Sequence, residues 1–503
     1  PRVRPAAKLD FLIMKRTAIL ALTASSILAL AAPAYADTLN EALAEAYRSN
    51  PTLQAARAQL RATDENVAIE KADGRPSVTG SAALTEVLIQ NSTSFFAPAR
   101  SLSAGVDLGV PIYSGGAVKN SIRAAEQRVE AGRADLRGTE SAIFSQVVAA
   151  YMDVLRGEAL VGLSANQVQV LEVNLRATSD RFEIGDLTRT DVAQSQSRLA
   201  LARGDLRSAQ AGLIQARESY IQLVGSAPGE LEPPPPLPNL PDDPRMAVDV
   251  ALDNNPDLIA ARERAQAAGY DIDVAGASRL PRLSAFAGYD YQNFLGSVPD
   301  SPTGPSPQTA DASSAGLTLS IPIFQGGRPA ALQRQAQARA SASLDQVIAA
   351  ERDVIAQVRA SYASYSAALA IIDSSREAVA AAELSLEGVR AENSIGNRTV
   401  LDVLNAEQEL LLARVDLVTA RRNAYVAGFS LLAAMGRAEA RDLGIEGGAL
   451  YDPLANYERV SDRWSDWDRD PEPEAAGTRT VDIPAADAEV GTVYGPMIGP
   501  ERN

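Results

Sequence analysis

The chain repeats itself, and this constrains its fold more than any other feature. Asn50-Pro51 recurs as Asn255-Pro256, and Arg75-Pro76 as Leu280-Pro281, each 205 residues on. Val110-Pro111-Ile112-Tyr113-Ser114-Gly115-Gly116 recurs 211 residues on as Ile321-Pro322-Ile323-Phe324-Gln325-Gly326-Gly327. The same spacing of 211 carries Ile184-Gly185, Asp191-Val192 and Ala202-Arg203 into Ile395-Gly396, Asp402-Val403 and Ala413-Arg414. A tandem duplication of this kind builds one unit twice in series. The spacing grows between residues 76 and 110, so the length difference belongs to a stretch that includes an exposed loop.

Each copy alternates two periods. Ser114 to about Glu183, and Gln325 to about Asn393, are rich in Ala, Gln, Arg and Glu, with no proline beyond the first turns. About 70 residues of helix span roughly 105 Å, too long for a compact globular domain. Sparse Leu, Val and Ile at three- and four-residue steps among small Ala predict close coiled-coil packing. Two shorter stretches, Thr38 to Ala72 and Thr188 to Val224, together match one long helix and are expected to stack end to end beside it.

Between the helices lie alternating segments. In Ser101 to Val110, Leu102, Ala104, Val106, Leu108 and Val110 face one way, and Ser103, Gly105, Asp107 and Gly109 the other. Ser77 to Ile89, Leu283 to Gln292 and Gly316 to Ile323 repeat the pattern less cleanly. About ten residues is the length of one tilted strand across a bilayer; a soluble four-stranded sheet fits the alternation equally well. The order of elements favours the membrane, because each strand pair is enclosed by long helices and joined by a polar, Pro-rich loop, Gln90 to Arg100 and Gly296 to Ser314. Four strands cannot close a barrel, whose smallest bacterial examples have about eight. The barrel must then be shared, and three chains supply about 12 strands. The expected class is mainly α with a β-barrel contribution: tandem-duplicated long coiled-coil helices plus four membrane strands per chain, forming a trimeric barrel on an α-helical tunnel.

Composition removes competing chemistries. There is no His and no Cys, which excludes Ser-His-Asp and Cys-His nucleophiles, imidazole or thiolate metal sites, and disulfides. A formal charge of −16 argues against a nucleic-acid partner. No isolated acidic pair recommends a carboxylate-based hydrolase, and no cofactor is implied.

The ends read separately. Residues 1–13 lie upstream of Met14 and read as a non-native extension. Lys15 and Arg16, the apolar run Ala18 to Ala32 and Ala34-Tyr35-Ala36 make residues 14–36 a signal peptide cleaved after Ala36, with a membrane-anchoring helix as the competing reading. Residues 37–231 form the first repeat, 232–244 a Pro-rich linker and 245–450 the second repeat. Residues 451–503 hold 12 acidic and 5 basic residues interrupted by proline and are expected to be a disordered tail.

Over Asp37 to Gly436 the chain resembles the TolC family of outer-membrane channels. The likeness rests on the duplicated Asn-Pro, on Val-Pro-Ile-Tyr-Ser-Gly-Gly with Ile-Pro-Ile-Phe-Gln-Gly-Gly, and on Ile395-Gly396-Asn397-Arg398-Thr399-Val400-Leu401-Asp402-Val403-Leu404. It implies a homotrimer with its barrel in outer-membrane lipid and its tunnel in the periplasm. The partners implied are a periplasmic adaptor (membrane fusion) protein and an inner-membrane ABC or RND-type transporter. The chain then acts as the passive exit duct of a tripartite efflux or type I secretion system and carries no catalytic residues. The lack of a Cys for lipid attachment leans toward the secretion-capable branch. The competing function is a periplasmic coiled-coil adaptor or scaffold without a barrel.

Chain direction places the turns Ile184 to Thr188 and Ile395 to Thr399 about 105 Å from the strands, at the far tip. Thr188-x-x-Asp191 and Thr399-x-x-Asp402 read as capping boxes, and the spacing by itself favours capping over a pore role. The resemblance implies in addition that Asp402, Arg398 and Asp191 close the periplasmic aperture. It also places Asn405 where relatives can carry a second aspartate ring, and Asn393 where they can carry a tyrosine. Docking of the adaptor's hairpin is implied for Gly185, Asp186, Leu187, Thr188, Gly396, Asn397 and Thr399. The Gly115-Gly116 and Gly326-Gly327 pairs fit sharp strand-to-helix turns better than phosphate binding.

Overall fold

The computed structural model describes residues 38–89, 98–238, 240–300, 304–445 and 450–490. The stretches expected to be an extension (1–13) and a signal peptide (14–36), most of the first inter-strand loop and the last residues of the tail lie outside them. The first copy runs α1 (Leu39–Ser49), α2 (Pro51–Ala72), β1 (Ser77–Glu86), β2 (Arg100–Tyr113), α3 (Ala117–Glu183) and α4 (Arg189–Val224). The second runs α5 (Pro244–Asn254), α6 (Pro256–Ala277), β3 (Arg282–Asn293), β4 (Thr309–Ser320), α7 (Arg328–Ser394) and α8 (Val400–Ala434), and a short α9 (Ala455–Val460) follows. β4 starts at Thr309, so the loop expected to extend to Ser314 is shorter and its polar end is strand.

The stretch Thr38 to Ala72 is two helices, broken where Asn50 meets Pro51. Pro51 lacks an N–H and can begin a helix but not continue one. Asn50 splices three helix ends. Its Oδ1 accepts from the N–H groups of Thr52 (3.0 Å) and Leu53 (3.3 Å), while its Nδ2 donates to the Leu223 carbonyl at the end of α4 (2.9 Å). Asn255 does the same for Asp257 (3.0 Å) and Leu258 (3.2 Å), with Nδ2 on the Ala434 carbonyl closing α8 (2.9 Å). α2 and α4 are thus joined end to end beside α3, and α6 and α8 beside α7. The stacking expected of Thr38 to Ala72 as a whole is made by α2 alone, because the helix breaks at Asn50-Pro51 and α1 packs separately on α3 and α4.

α3 lies at the centre, packed on α2 and α4 of its own copy and on α6 and α8 of the other. The main core sits at mid-length, where Phe144, Val147, Tyr151 and Leu155 of α3 meet Leu39 and Leu43 of α1, Leu213 and Tyr220 of α4, and Phe429 and Leu432 of α8. The Pro-rich linker runs over this level, held by tyrosine hydroxyls. Tyr151 donates to Glu232 O (2.6 Å), Tyr425 to Pro235 O (3.0 Å) and Tyr362 to Asp242 O (2.5 Å).

The strands form one antiparallel meander, β1-β2-β3-β4. Register places Val78, Leu84, Leu102, Val106, Leu108, Tyr289, Tyr291, Leu317 and Leu319 on one face. Ser77, Thr79, Ser103, Asp107, Asp290, Ser314 and Thr318 share the other, where Phe286 is an apolar exception. β1 and β4 are the free edges within the chain. No described helix is long and apolar enough to cross a membrane, which says nothing about strands.

The tail departs from the expectation of disorder. Residues 450–490 lie against the wall. The Arg57 guanidinium is stacked between the rings of Tyr47 (4.2 Å) and Tyr451 (5.0 Å), and Asn456 of α9 donates to the buried carboxylate of Asp64 (2.8 Å). Tyr457 covers Val67, Ala125 and Val129. Lys71 pairs with Asp462 (2.9 Å), and farther along the tail Arg217 pairs with Asp487 (2.8 Å). Composition shows that such a segment cannot bury a core of its own. It is silent about docking on a surface that offers Lys71 and Arg217 to two of its acids.

Candidate functional site

The long helices end in one turn built twice. Gly185 and Gly396 both adopt φ 82°, a left-handed conformation that strains any residue with a Cβ. Around them the Asp186 N–H bonds Arg181 O and the Gly185 N–H bonds Phe182 O, both at 2.9 Å. In the second copy the Asn397 N–H bonds Glu392 O (2.9 Å) and the Gly396 N–H bonds Asn393 O (3.0 Å). This paired pattern satisfies the last carbonyls of a helix.

The return helices start with the expected capping boxes. Thr399 donates to Asp402 Oδ2 from both its N–H (2.9 Å) and its hydroxyl (2.7 Å), and the Asp402 N–H donates back to Thr399 Oγ1 (3.2 Å). Thr188 and Asp191 match this at 2.9, 2.7 and 3.3 Å. The Thr hydroxyl first, and then the Thr backbone N–H, hold each carboxyl below the ordinary aspartate range. Arg398 adds least to this effect on Asp402.

The structure therefore parts Arg398 from Asp402 within the chain. Arg398 Nε donates to Glu392 Oε2 at 2.7 Å, and Glu392 is the main reason its guanidinium is held even more firmly protonated than usual. Asn393 Nδ2 donates to Arg398 O (2.8 Å), bracing the turn from inside. In the first copy the equivalent brace is Arg181 on Asp186 (2.7 Å). Arg181 and Glu392 are duplicate positions with opposite charge, so the repeat does not reveal either one. Asn405 Oδ1 accepts from Arg198 of α4 (2.8 Å), linking the return helices of the two copies. Leu187 is half-buried, while Gly185, Asp186, Thr188, Gly396, Asn397 and Thr399 are exposed beside the apolar Ile184 and Ile395.

One turn and more above the tip sits a polar cluster that the sequence did not flag. The Glu407 carboxylate of α8, with a side chain only 3% exposed, accepts from Asn174 of α3 at 2.9 Å on each oxygen and from Arg390 of α7 at 3.1 Å. A charge buried there is tolerable only because every partner is in place. Its three members come from three helices and have no counterparts at the duplicate positions, which is why no repeat signal exposed them. Among the described residues no group of three or more acidic, His or Cys side chains is placed to hold a metal ion.

Comparison with known proteins bears on this architecture. The outer membrane efflux protein family matches residues 42–226 and 247–437, one stretch in each copy. The outer membrane efflux protein BepC of Brucella suis is 33% identical over 431 residues, which is 86% of this chain and 92% of that protein. The alkaline protease secretion protein AprF of Pseudomonas aeruginosa is 29% identical over 57% of this chain and 59% of its own length. The crystal structure of the outer membrane protein VceC of Vibrio cholerae superposes with a TM-score of 0.67 at 24% identity, covering 79% of this chain and 96% of that one.

Proposed function

The chain belongs to the outer membrane efflux protein family, and from that premise we propose how its parts work. It is an outer-membrane channel-tunnel of the kind that serves tripartite efflux and type I secretion, with a helical tunnel in the periplasm. Family membership retires the reading as a barrel-less periplasmic scaffold. Channels of this family are trimeric and work with efflux or secretion partners.

The sheet carries the assembly. Its apolar face turns to outer-membrane lipid and its Ser-, Thr- and Asp-bearing face to the lumen, and β1 of one protomer pairs with β4 of the next. Three protomers close a barrel of about 12 strands, which removes edges that lipid cannot satisfy. The chain is a passive duct without catalysis. Cargo is driven by an inner-membrane ABC or RND-type transporter, and the tips, Gly185 to Thr188 and Gly396 to Thr399, receive a periplasmic adaptor.

At those tips Asp191 and Asp402 recur around the threefold axis as carboxylates held ionised by their own caps. Arg398 serves by bracing its turn through Glu392, and Asn393 and Asn405 fix the same turn and its neighbour helix. The observation that carries this reading is the coincidence of the capping boxes with the end of the tunnel. The test is single-channel recording in a planar bilayer. Arg398→Ser and Glu392→Gln break the same ion pair, so both are expected to loosen the closed tip and raise conductance to a similar degree. If Glu392→Gln leaves conductance at the wild-type level while Arg398→Ser raises it, Arg398 acts across the protomer boundary and the bracing role is wrong.

A further inference from the structure

The two tryptophans of the whole chain sit in the docked tail. The tail climbs along α2 past Asp64 and Lys71, then reverses. Arg463 pairs with Asp468 at 2.9 Å and Arg459 with Asp470 at 2.7 Å, so Trp464-Ser465-Asp466-Trp467 forms the tip of a hairpin. Trp464 lies over the Arg75 guanidinium at 4.7 Å, yet it stays 69% exposed, and Trp467 is 86% exposed. The carbonyl just before the tip, that of Arg463, accepts from Arg75 as well.

Arg75 fixes the height of this tip. It stands two residues before Ser77, where β1 starts, and about 7 Å of extended chain separates them. Gly74 borders the same surface cleft as Pro111, Ile112 and Tyr113, which end β2. Tyr113 and its duplicate Phe324 are exposed aromatics at this level, Phe324 by 88%. Tryptophan concentrates where a bilayer meets water, its ring in the acyl boundary and its N–H among headgroups. The hairpin is suited to that boundary, because Asp462, Asp468 and Asp470 are each paired with Lys71, Arg459 or Arg463.

We propose that the Trp464–Trp467 hairpin is a lipid-interface anchor: it seats both indoles in the headgroup boundary of the leaflet facing the helical wall and ties the tunnel to the bilayer at the base of the barrel. The proposal rests on the membrane placement of the sheet and extends that lipid-facing surface below the strands. The occupant is a zwitterionic phospholipid surface, since Asp466 at the tip opposes an anionic one.

Because these are the chain's two tryptophans, its indole fluorescence reports on the hairpin alone. The full-length protein is reconstituted into phosphatidylcholine bilayers carrying bromine either near the carbonyl end or near the chain terminus, and Trp464→Phe and Trp467→Phe each isolate one ring. The expected result is quenching of both indoles, roughly twofold stronger from shallow than from deep bromine, as an interfacial ring requires. A third sample, Val106→Trp in a background lacking both native tryptophans, reports on the sheet. Quenching at position 106 without quenching of Trp464 and Trp467 overturns the anchor and leaves the barrel standing, whether acrylamide then reaches the native rings or a second protomer covers them. Absence of quenching at all three positions overturns the anchor together with the membrane placement of the sheet.

Discussion

A carboxylate at a helix start and a carboxylate at a pore mouth look alike in sequence, and at Asp402 the two roles fall on one side chain. Asn in that place keeps an oxygen for the Thr399 N–H and hydroxyl but drops the charge, whereas Ala drops both. Asp402→Asn is therefore expected to keep more of the thermal stability of the tip than Ala does, without the part that the ionised carboxylate adds, while weakening block by multivalent cations. Asp402→Ala is expected to lose both. Titration gives a second check. The folded pKa values of Asp191 and Asp402 lie below the ordinary aspartate value, so the stabilisation is fully present above that ordinary value and is lost as pH falls through the lowered one. Protection of the Thr188 and Thr399 amides from hydrogen exchange, taken relative to the intrinsic rate at each pH, is expected to fall over that acid window, and in Asp402→Asn the Thr399 protection is expected not to follow that titration. The Thr-x-x-Asp boxes were legible because capping is local. The partners of Arg398 and Asn405 were not, since Glu392 is set by the geometry of a turn and Arg198 lies on another helix.

Elements join through residues whose pairing spans more than a hundred positions, and Asn50 is the clearest case. Sequence spacing marked it as a repeat; the splice of α2 to α4 became visible only with Leu223 in place. Asn50→Ala removes an N-cap and leaves a half-buried carbonyl without its side-chain donor, which together are expected to cost about 1–2 kcal/mol. Asn50→Asp is the sharper test. Aspartate caps a helix as well as asparagine does, but its second oxygen would face the Leu223 carbonyl where Nδ2 now donates. Asn50→Asp is accordingly expected to lower the thermal midpoint at neutral pH at least as much as Asn50→Ala, and a variant as stable as wild type would show that the carbonyl contact contributes nothing. The tail gives the complementary lesson. Its composition predicted disorder, and its order comes from contacts such as Arg57 between two tyrosines and Asn456 on Asp64. Deleting 451–503 uncovers Val67, Ala125 and Val129. The truncated chain is expected to assemble as a trimer by mass measurement in detergent but to melt at a lower temperature than the full chain.

At the scale of the whole molecule, the free edges of β1 and β4 are what other copies of the chain would pair with in a trimer of the kind this family forms. Alternation was legible in Ser101 to Val110 because β2 lies inside the sheet and its two faces differ cleanly. It was weaker in β4, where Ala, Ser and Asp dilute the apolar face. The face assignment fixes what a charge does at each position. Val106 is 52% exposed in the middle of β2, with Gly80 and Tyr289 beside it on the apolar face. Arginine at mid-depth on a lipid face costs about 2–4 kcal/mol, whereas a lumen-facing charge meets water and alters selectivity instead. Val106→Arg is therefore expected to reduce the yield of folded trimer in outer-membrane fractions. Thr79→Arg, beside Asp107 on the opposite face, is expected to assemble normally and to lower cation preference in a planar bilayer. The reverse pattern, with Thr79→Arg failing to assemble and Val106→Arg assembling with altered selectivity, would turn the sheet inside out. Equal tolerance of both charges would mean that neither face meets lipid.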